Sequence, residues 1–340
     1  MSGTDLGTPR FGLHPLHGIH EPTQGTPRRL PGSVRRTSSI DMTRDPGSID
    51  PVYLSGRARD LKTARDGTAT EAGRARLEAT VEMVARVVHR LELEPAVADL
   101  HLVGAPAMSG FRAAVDKAAP DLRPRRDLRY TLLDDVPVAT LISGHALSAS
   151  GALGNGTKSG YLPVADQCAG FVTGGLLMTS FRSGDPAVVT GPTAPALEDP
   201  ADPLAWHDMA PLPIHGMRRR RRLDLHQGSD SPEMLIDAIF RDSYVRADGT
   251  ETIIHEYTLD ASVDPDTGVI LSSEAVPRVL PWRECPGAAA SSTQIVGMRL
   301  DELGFRVRQE LFGTSTCTHL NDLLRSMADA AALISLLRTA

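Results

Sequence analysis

Two cysteines of this chain each stand directly before a segment with helical character, where thiolate chemistry is favoured. Cys285 lies in the motif Glu-Cys-Pro-Gly-Ala (284–288), and proline is favoured at the first position of a helix. Cys317 lies in Cys-Thr-His-Leu (317–320), ahead of the best helical pattern in the chain. The free N–H groups and the positive dipole end of a helix stabilise a thiolate, the form that binds metal or attacks an electrophile. The same placement also suits two small buried core residues.

His255, on a predicted strand, is the third residue of the expected site. Thiolate and imidazole groups are preferred ligands of Zn2+ and of iron, so His255, Cys285 and Cys317 are predicted to hold one of these metals. The candidates for a fourth ligand are His319, Asp322, Cys168 and water. A lone histidine on a strand is more often a structural residue, and Cys168 is more typical of a small buried core residue.

Two other functions fit the same residues. In the first, the chain is an enzyme acting on a small molecule, with Cys317 as nucleophile and His319 or His255 as its base. In the second, it is a non-catalytic protein that binds or assembles with an unknown partner. The sequence has no Walker loop and no Gly-x-Gly-x-x-Gly before a helix, so no nucleotide cofactor is expected.

The elements that must position these residues are strands followed by helices. Strand patterns cover 217–225, 233–242, 253–263 and 269–275, and helical patterns cover 286–297, 300–311 and 318–337. This order predicts an α+β unit, a small antiparallel sheet with helices on one face.

The first predicted strand contains the basic run Arg218–Arg222. Side chains alternate along a strand, so at most three of these arginines share a face. Asp224, Asp237 and Asp242 are near in sequence and are expected to neutralise them. We therefore predict a paired, solvated edge strand here.

An internal repeat organises the chain. Asp248-Gly249-Thr250 repeats Asp66-Gly67-Thr68, and Gly304-Phe305-Arg306 repeats Gly110-Phe111-Arg112, with further segments in the same order. The predicted organisation is a disordered N-terminal lead (1–33), a first, degenerate copy (34–150), a Gly/Pro-rich connector (151–212) and a second copy (213–340) that carries the site. The predicted fold is thus α+β, with two tandem copies of a small antiparallel sheet followed by helices.

Composition excludes several classes of protein. The 340 residues carry a net charge of -6 and a pI near 6.0, which argues against a nucleic-acid partner. No stretch approaches the roughly 20 apolar residues of a membrane span, and the first thirty residues lack the apolar core of a signal peptide. Three cysteines do not form a secreted disulfide framework, so a cytoplasmic location is expected.

The second copy resembles a bacterial domain-of-unknown-function family. The resemblance rests on the arginine run, on His255, on Glu-Cys-Pro (284–286) and on the signature Cys-Thr-His-Leu-Asn-Asp (317–322). Including Asp-Pro-Leu-Ala-Trp-His (202–207), the whole chain is similar to actinobacterial-type members.

Residues 253–337 distantly resemble the iron–sulfur cluster assembly scaffold (NifU-type) fold. The stretch 285–292 is similar to a cysteine-initiated helix start of that fold, and 317–328 to its last helix start. The resemblance places Cys285 and Cys317 on two of the scaffold's cysteine ligands and His255 at or near its aspartate ligand. It implies a metal site.

Overall fold

One eight-stranded antiparallel sheet forms the centre of the molecule. The computed structural model describes residues 13–152, 163–183, 188–228 and 231–339. The strands are β1 (Leu13–Pro15), β2 (Ser33–Thr43), β3 (Val52–Thr63), β4 (Ala69–Glu82), β5 (Val87–Glu94), β6 (Val188–Thr190), β7 (Met217–Gln227), β8 (Met234–Val245), β9 (Glu251–Val263) and β10 (Ile270–Val279). The large sheet has the order β10-β9-β8-β7-β2-β3-β4-β5, and β1 pairs separately with β6.

The α+β class predicted from the sequence is confirmed, but the two expected sheets are one. Strand β2 pairs with β7 from Ser33 opposite His226 to Met42 opposite Met217, so the two four-stranded halves share hydrogen bonds. The strand order is symmetric about this pair. The origin of the two halves by duplication and the exact domain boundaries stay predictions.

Helices follow the strands in each half. They are α1 (Phe111–Ala118), α2 (Leu128–Ile142), α3 (Gly144–Ala149), α4 (Leu176–Arg182), α5 (Leu303–Glu310), α6 (Thr318–Ser326) and α7 (Ala330–Arg338). Short 3-10 helices cover Ala169–Phe171, Cys285–Ile295 and Met327–Asp329. The helix predicted over 286–297 is therefore a 3-10 helix, and the one predicted over 318–337 is divided into α6 and α7. None of the helices in the described parts of the chain has the length and apolar character of a membrane crossing.

The two faces of the sheet are covered by different segments. Helices α2 and α7 pack on one face, where the main apolar core lies. The later part of the connector lies on the other face, where Leu197, Ala205 and Trp206 form a small apolar cluster with Ile239 of β8. Residues 1–12 of the predicted lead, and 153–162 and 184–187 of the predicted connector, lie outside the described residues.

The predicted lead contacts this second face. The Thr23 amide donates to Glu256 at 2.6 Å, and Arg29 pairs with Asp202 at 2.7 Å. The Arg35 guanidinium donates to the Pro27 carbonyl at 2.7 Å. Residues 23–29 are therefore held by hydrogen bonds to the sheet and the connector.

The arginine run lies in the middle of the sheet, and its prediction as a solvated edge strand is wrong. Strand β7 is paired on both sides, and Arg218–Arg222 are all buried. Strand alternation directs Arg219 and Arg221 to the helix face and the other three to the connector face. The expected neutralisation is confirmed, because Arg219 pairs with Asp242 and Arg222 pairs with Asp224 and Asp237.

Candidate metal site

The register of β8 and β9 brings Asp242 opposite His255. Two positions along, Phe240 lies opposite Tyr257. Because side chains two residues apart on a strand point to the same face, all four lie on the helix face of the sheet. A register shift directly follows, between Asp242 and Ser243. Such a bulge redirects side chains and is often found beside functional sites.

Helix α6 completes the group with His319, in its first turn. Cys317 is the N-cap residue of this helix. The His319 ring stacks on the His255 ring with centroids 3.8 Å apart, and it stacks less closely on Phe240. One ligand atom from each of Asp242, His255 and His319 lies within 4.8 Å of the others. Two imidazoles and one carboxylate are a ligand set that suits zinc or iron.

A buried arginine holds the carboxylate of this group in place. Nη1 of Arg219 lies 3.0 Å from each oxygen of Asp242, and both side chains are fully buried. Burial by itself raises the pKa of Asp242, but the charge of Arg219 and the adjacent His255 ring outweigh it, so the pKa is lowered. Asp242 is therefore ionised at neutral pH. A carboxylate has about four lone-pair sites, so the arginine does not exhaust its capacity as a ligand.

Both histidines present ring nitrogens without hydrogen bonds. Nδ1 of His255 and Nε2 of His319 are buried, and neither has a hydrogen-bond partner among the described residues. Nδ1 of His255 lies 3.4 Å from Asp242. Burial and the neighbouring His255 lower the pKa of His319 well below its usual value, so its ring is neutral at neutral pH. The His255 side chain is 16% exposed, so the group reaches the surface.

The three cysteines lie around Tyr257. This tyrosine is two residues from His255 on the same face of strand β9. All three cysteines are free and buried. The Tyr257 hydroxyl lies beside the Cys317 thiol. Backbone N–H groups of Gly170, Phe171 and Thr318 point to Cys168, and those of His319 and Leu320 point to Cys317.

Burial outweighs these N–H groups in setting the state of the thiols. It raises the pKa of Cys317 to about 11 and raises the pKa of Cys285 further. The helix N-terminus alone does not produce a thiolate at Cys317, because the desolvation of a buried charge is the larger effect. In the protein without metal, these cysteines are protonated thiols at neutral pH.

The predicted site residues fall into two neighbouring groups. His255 and His319 belong to the Asp/His group, while Cys285 and Cys317 lie in the thiol group with Cys168. The ligand set His255, Cys285 and Cys317, and the Cys317–His319 nucleophile, stay predictions. Asp322 faces Arg325 at 2.6 Å and Arg219 at 3.5 Å, so it belongs to the ion pairs that surround the site.

Sequence reasoning missed Asp242 as a site residue. Asp242 lies in the strand that follows the arginine run, and this position indicated only that it neutralises the arginines. In the sequence, the pairing of Asp242 with His255 follows only from the register of a hairpin across the turn Asp-Gly-Thr (248–250). The bulge shifts that register by one residue.

Comparison with known proteins identifies a domain in the same region. No curated protein and no solved structure matches the chain. The match that is found covers 217–333 and therefore includes Asp242, His255, Cys285, Cys317 and His319. The bacterial origin, the cysteine–histidine signature and the NifU-type resemblance stay predictions. The chain contains, at residues 217–333, a domain of the family described as "Protein of unknown function (DUF2889)".

Proposed function

We propose that this domain binds a divalent transition-metal ion, zinc or iron, through Asp242, His255 and His319. The observation that carries the proposal is the convergence of their three ligand atoms within 4.8 Å. A buried polar atom without a partner costs about 1–3 kcal/mol, and two such ring nitrogens belong to these histidines. A bound metal would provide the missing partner for both.

The protonation states support metal binding. Metal ligands must be deprotonated, and here the carboxylate is held ionised by Arg219 and the His319 ring is held neutral by burial. Arg219 acts as the group that orients a ligating carboxylate, a role that commonly strengthens metal affinity. Three protein ligands leave a position for water or a substrate, the arrangement of catalytic rather than structural zinc sites.

The test is metal content, measured by mass spectrometry on protein purified without oxygen. We expect near-stoichiometric zinc or iron in the natural protein, lost in His255→Gln and in His319→Gln. His89→Gln is the matched control, because His89 is an exposed histidine paired with Glu82 far from the site. Circular dichroism of each variant establishes that it is folded.

A Cys285→Ser/Cys317→Ser double variant separates this ligand set from the one predicted by sequence. Retention of metal in the double variant supports the Asp/His set. Loss of metal in the double variant, with retention in His319→Gln, would transfer the site to the cysteines. Absence of metal from the natural protein, with no Co2+ absorption bands on reconstitution, would overturn metal binding altogether.

A further inference from the structure

The first half of the sheet carries a counterpart of the metal site at the same register position. Asp60 on β3 lies opposite Gly73 on β4, as Asp242 on β8 lies opposite His255 on β9. Arg36 on β2 pairs with both oxygens of Asp60, at 2.7 Å each, as Arg219 pairs with Asp242. The carboxylate and its arginine are therefore present in both halves, whereas the first imidazole is replaced by a residue without a side chain.

The absence of a side chain at Gly73 contributes to a cavity. A cavity of about 500 Å3 opens beside Gly73 and Asp60. Leu128 closes one side, because a Cβ atom on Gly73 would come within 3.3 Å of its Cδ1. This volume is in the range of pockets that hold small molecules.

The lining of this cavity is basic. It contains five arginines, Arg36, Arg74, Arg125, Arg126 and Arg129, against the two carboxylates of Asp60 and Asp127. Both carboxylates are already occupied, Asp60 by Arg36 and Asp127 by Arg129 at 2.7 Å. Of the other three arginines, Arg74 and Arg125 pair with the carboxylates of Glu71 and Asp121 outside the lining, and Arg126 is left without an ion pair among the described residues.

Arg126 is the most informative of these. It is only 8% exposed, and no carboxylate of the described residues forms an ion pair with it. Its guanidinium makes one long hydrogen bond, from Nη2 to the Leu300 carbonyl at 3.4 Å. Its own carbonyl accepts from Arg36 at 2.8 Å, which anchors the residue beside the Asp60 pair. A buried guanidinium without a counter-ion is costly and indicates a place for an anion.

We propose that this arginine cavity binds a small multivalent oxyanion, carrying phosphate or carboxylate groups. The guanidinium fork matches both groups because it donates two parallel hydrogen bonds. Arg126 provides the buried contact, and Arg125 and Arg74 add charge at the rim. The proposal is independent of the metal site, since the two share no residue.

The experiment is titration calorimetry at fixed, low ionic strength with two probes, pyrophosphate and citrate. We expect saturable binding of at least one probe to the full chain. Tighter pyrophosphate binding identifies a phosphate-bearing ligand, and tighter citrate binding a carboxylate ligand. Arg126→Gln is expected to weaken binding roughly tenfold or more, because a charge-assisted hydrogen bond to a buried cation is lost.

Arg125→Glu tests the rim without disturbing buried packing, because its side chain is 74% exposed. We expect it to weaken binding by roughly threefold or more. Arg299→Glu is the matched control, since it makes the same charge change at another exposed arginine, and its affinity is expected to equal that of the natural protein. Absence of saturable binding of both probes, or equal weakening by Arg299→Glu and Arg125→Glu, would overturn the proposal.

Discussion

Arg219 contacts both carboxylate oxygens of Asp242 at 3.0 Å, and neither side chain is exposed to solvent. The same guanidinium lies 3.4 Å from Asp135 of α2 and 3.5 Å from Asp322 of α6. One buried cation therefore connects the sheet to a helix of each half. The candidate metal site is consequently part of the contact between the two halves.

Removal of this buried cation is expected to lower the stability of the protein strongly. Arg219→Met leaves the buried carboxylate of Asp242 without its main counter-charge, which destabilises folded proteins by about 3–5 kcal/mol. The free energy of unfolding in urea measures the loss. Arg306→Gln, at an exposed pair with Glu310, serves as the control and should change stability little. Equal stability of Arg219→Met and the natural protein would contradict the role given to Arg219.

Stability is expected to fall as pH drops below about 6.5. Burial lowers the pKa of His145 to about 4 and that of His207 to about 3, and it lowers the pKa of His319 well below its usual value. In this window the unfolded chain binds protons that the folded chain does not, so acid favours unfolding. Each histidine contributes about 1.4 kcal/mol per pH unit between its unfolded and folded pKa values.

Urea unfolding at several pH values, in the presence of a chelator, measures this slope. His207→Gln should reduce the number of protons taken up on unfolding by about one, and should make the slope shallower accordingly. His89→Gln at the surface should leave the slope unchanged. A stability that stays constant from about pH 7 to about pH 4.5 would rule out buried neutral histidines.

The cysteines are expected to be slow to react in the folded protein without metal. With the pKa of Cys317 raised to about 11, its thiolate fraction at neutral pH is roughly 100-fold below that of a free cysteine. Mass spectrometry after brief iodoacetamide treatment should show little modification until the protein is unfolded. Fast, selective alkylation of Cys317 would instead support its prediction as a nucleophile.

Gly170 is expected to tolerate no side chain, because the thiol of Cys285 lies directly beside it. A Cβ atom there would lie 2.9 Å from Sγ of Cys285 and 3.3 Å from the Trp282 ring. Gly170→Ala should therefore destabilise the protein by about 1–3 kcal/mol.

Gly287→Ala is the control for this variant, since Gly287 also lies in a 3-10 helix and a Cβ atom there meets nothing within 4 Å. Addition of Cys285→Ala to Gly170→Ala should recover part of the loss, because the contact is then relieved. Additive losses in the double variant would mean that Gly170 and Cys285 do not contact each other.

Local sequence patterns were sufficient for the elements of the second half. The predicted strands at 217–225, 233–242, 253–263 and 269–275 correspond to β7 to β10, and the predicted helix at 300–311 corresponds to α5. The start of α6 directly after Cys317 was also readable, because a regular apolar stripe begins there. These features depend on spacing along the chain, which the sequence contains.

Only the tertiary structure decided that the arginine run is buried and which residues lie together in the candidate metal site. Nothing local to β7 indicates that β2, from the other half, pairs with it and makes it a central strand. The site depends on one bulge residue, Ile254, which makes His255 face Asp242; a regular hairpin would place Ile254 there instead. A shift of one residue moves a side chain to the opposite face of a sheet. The register is therefore set by packing of the whole sheet, and the sequence alone identified His255 and His319 as candidates but not Asp242.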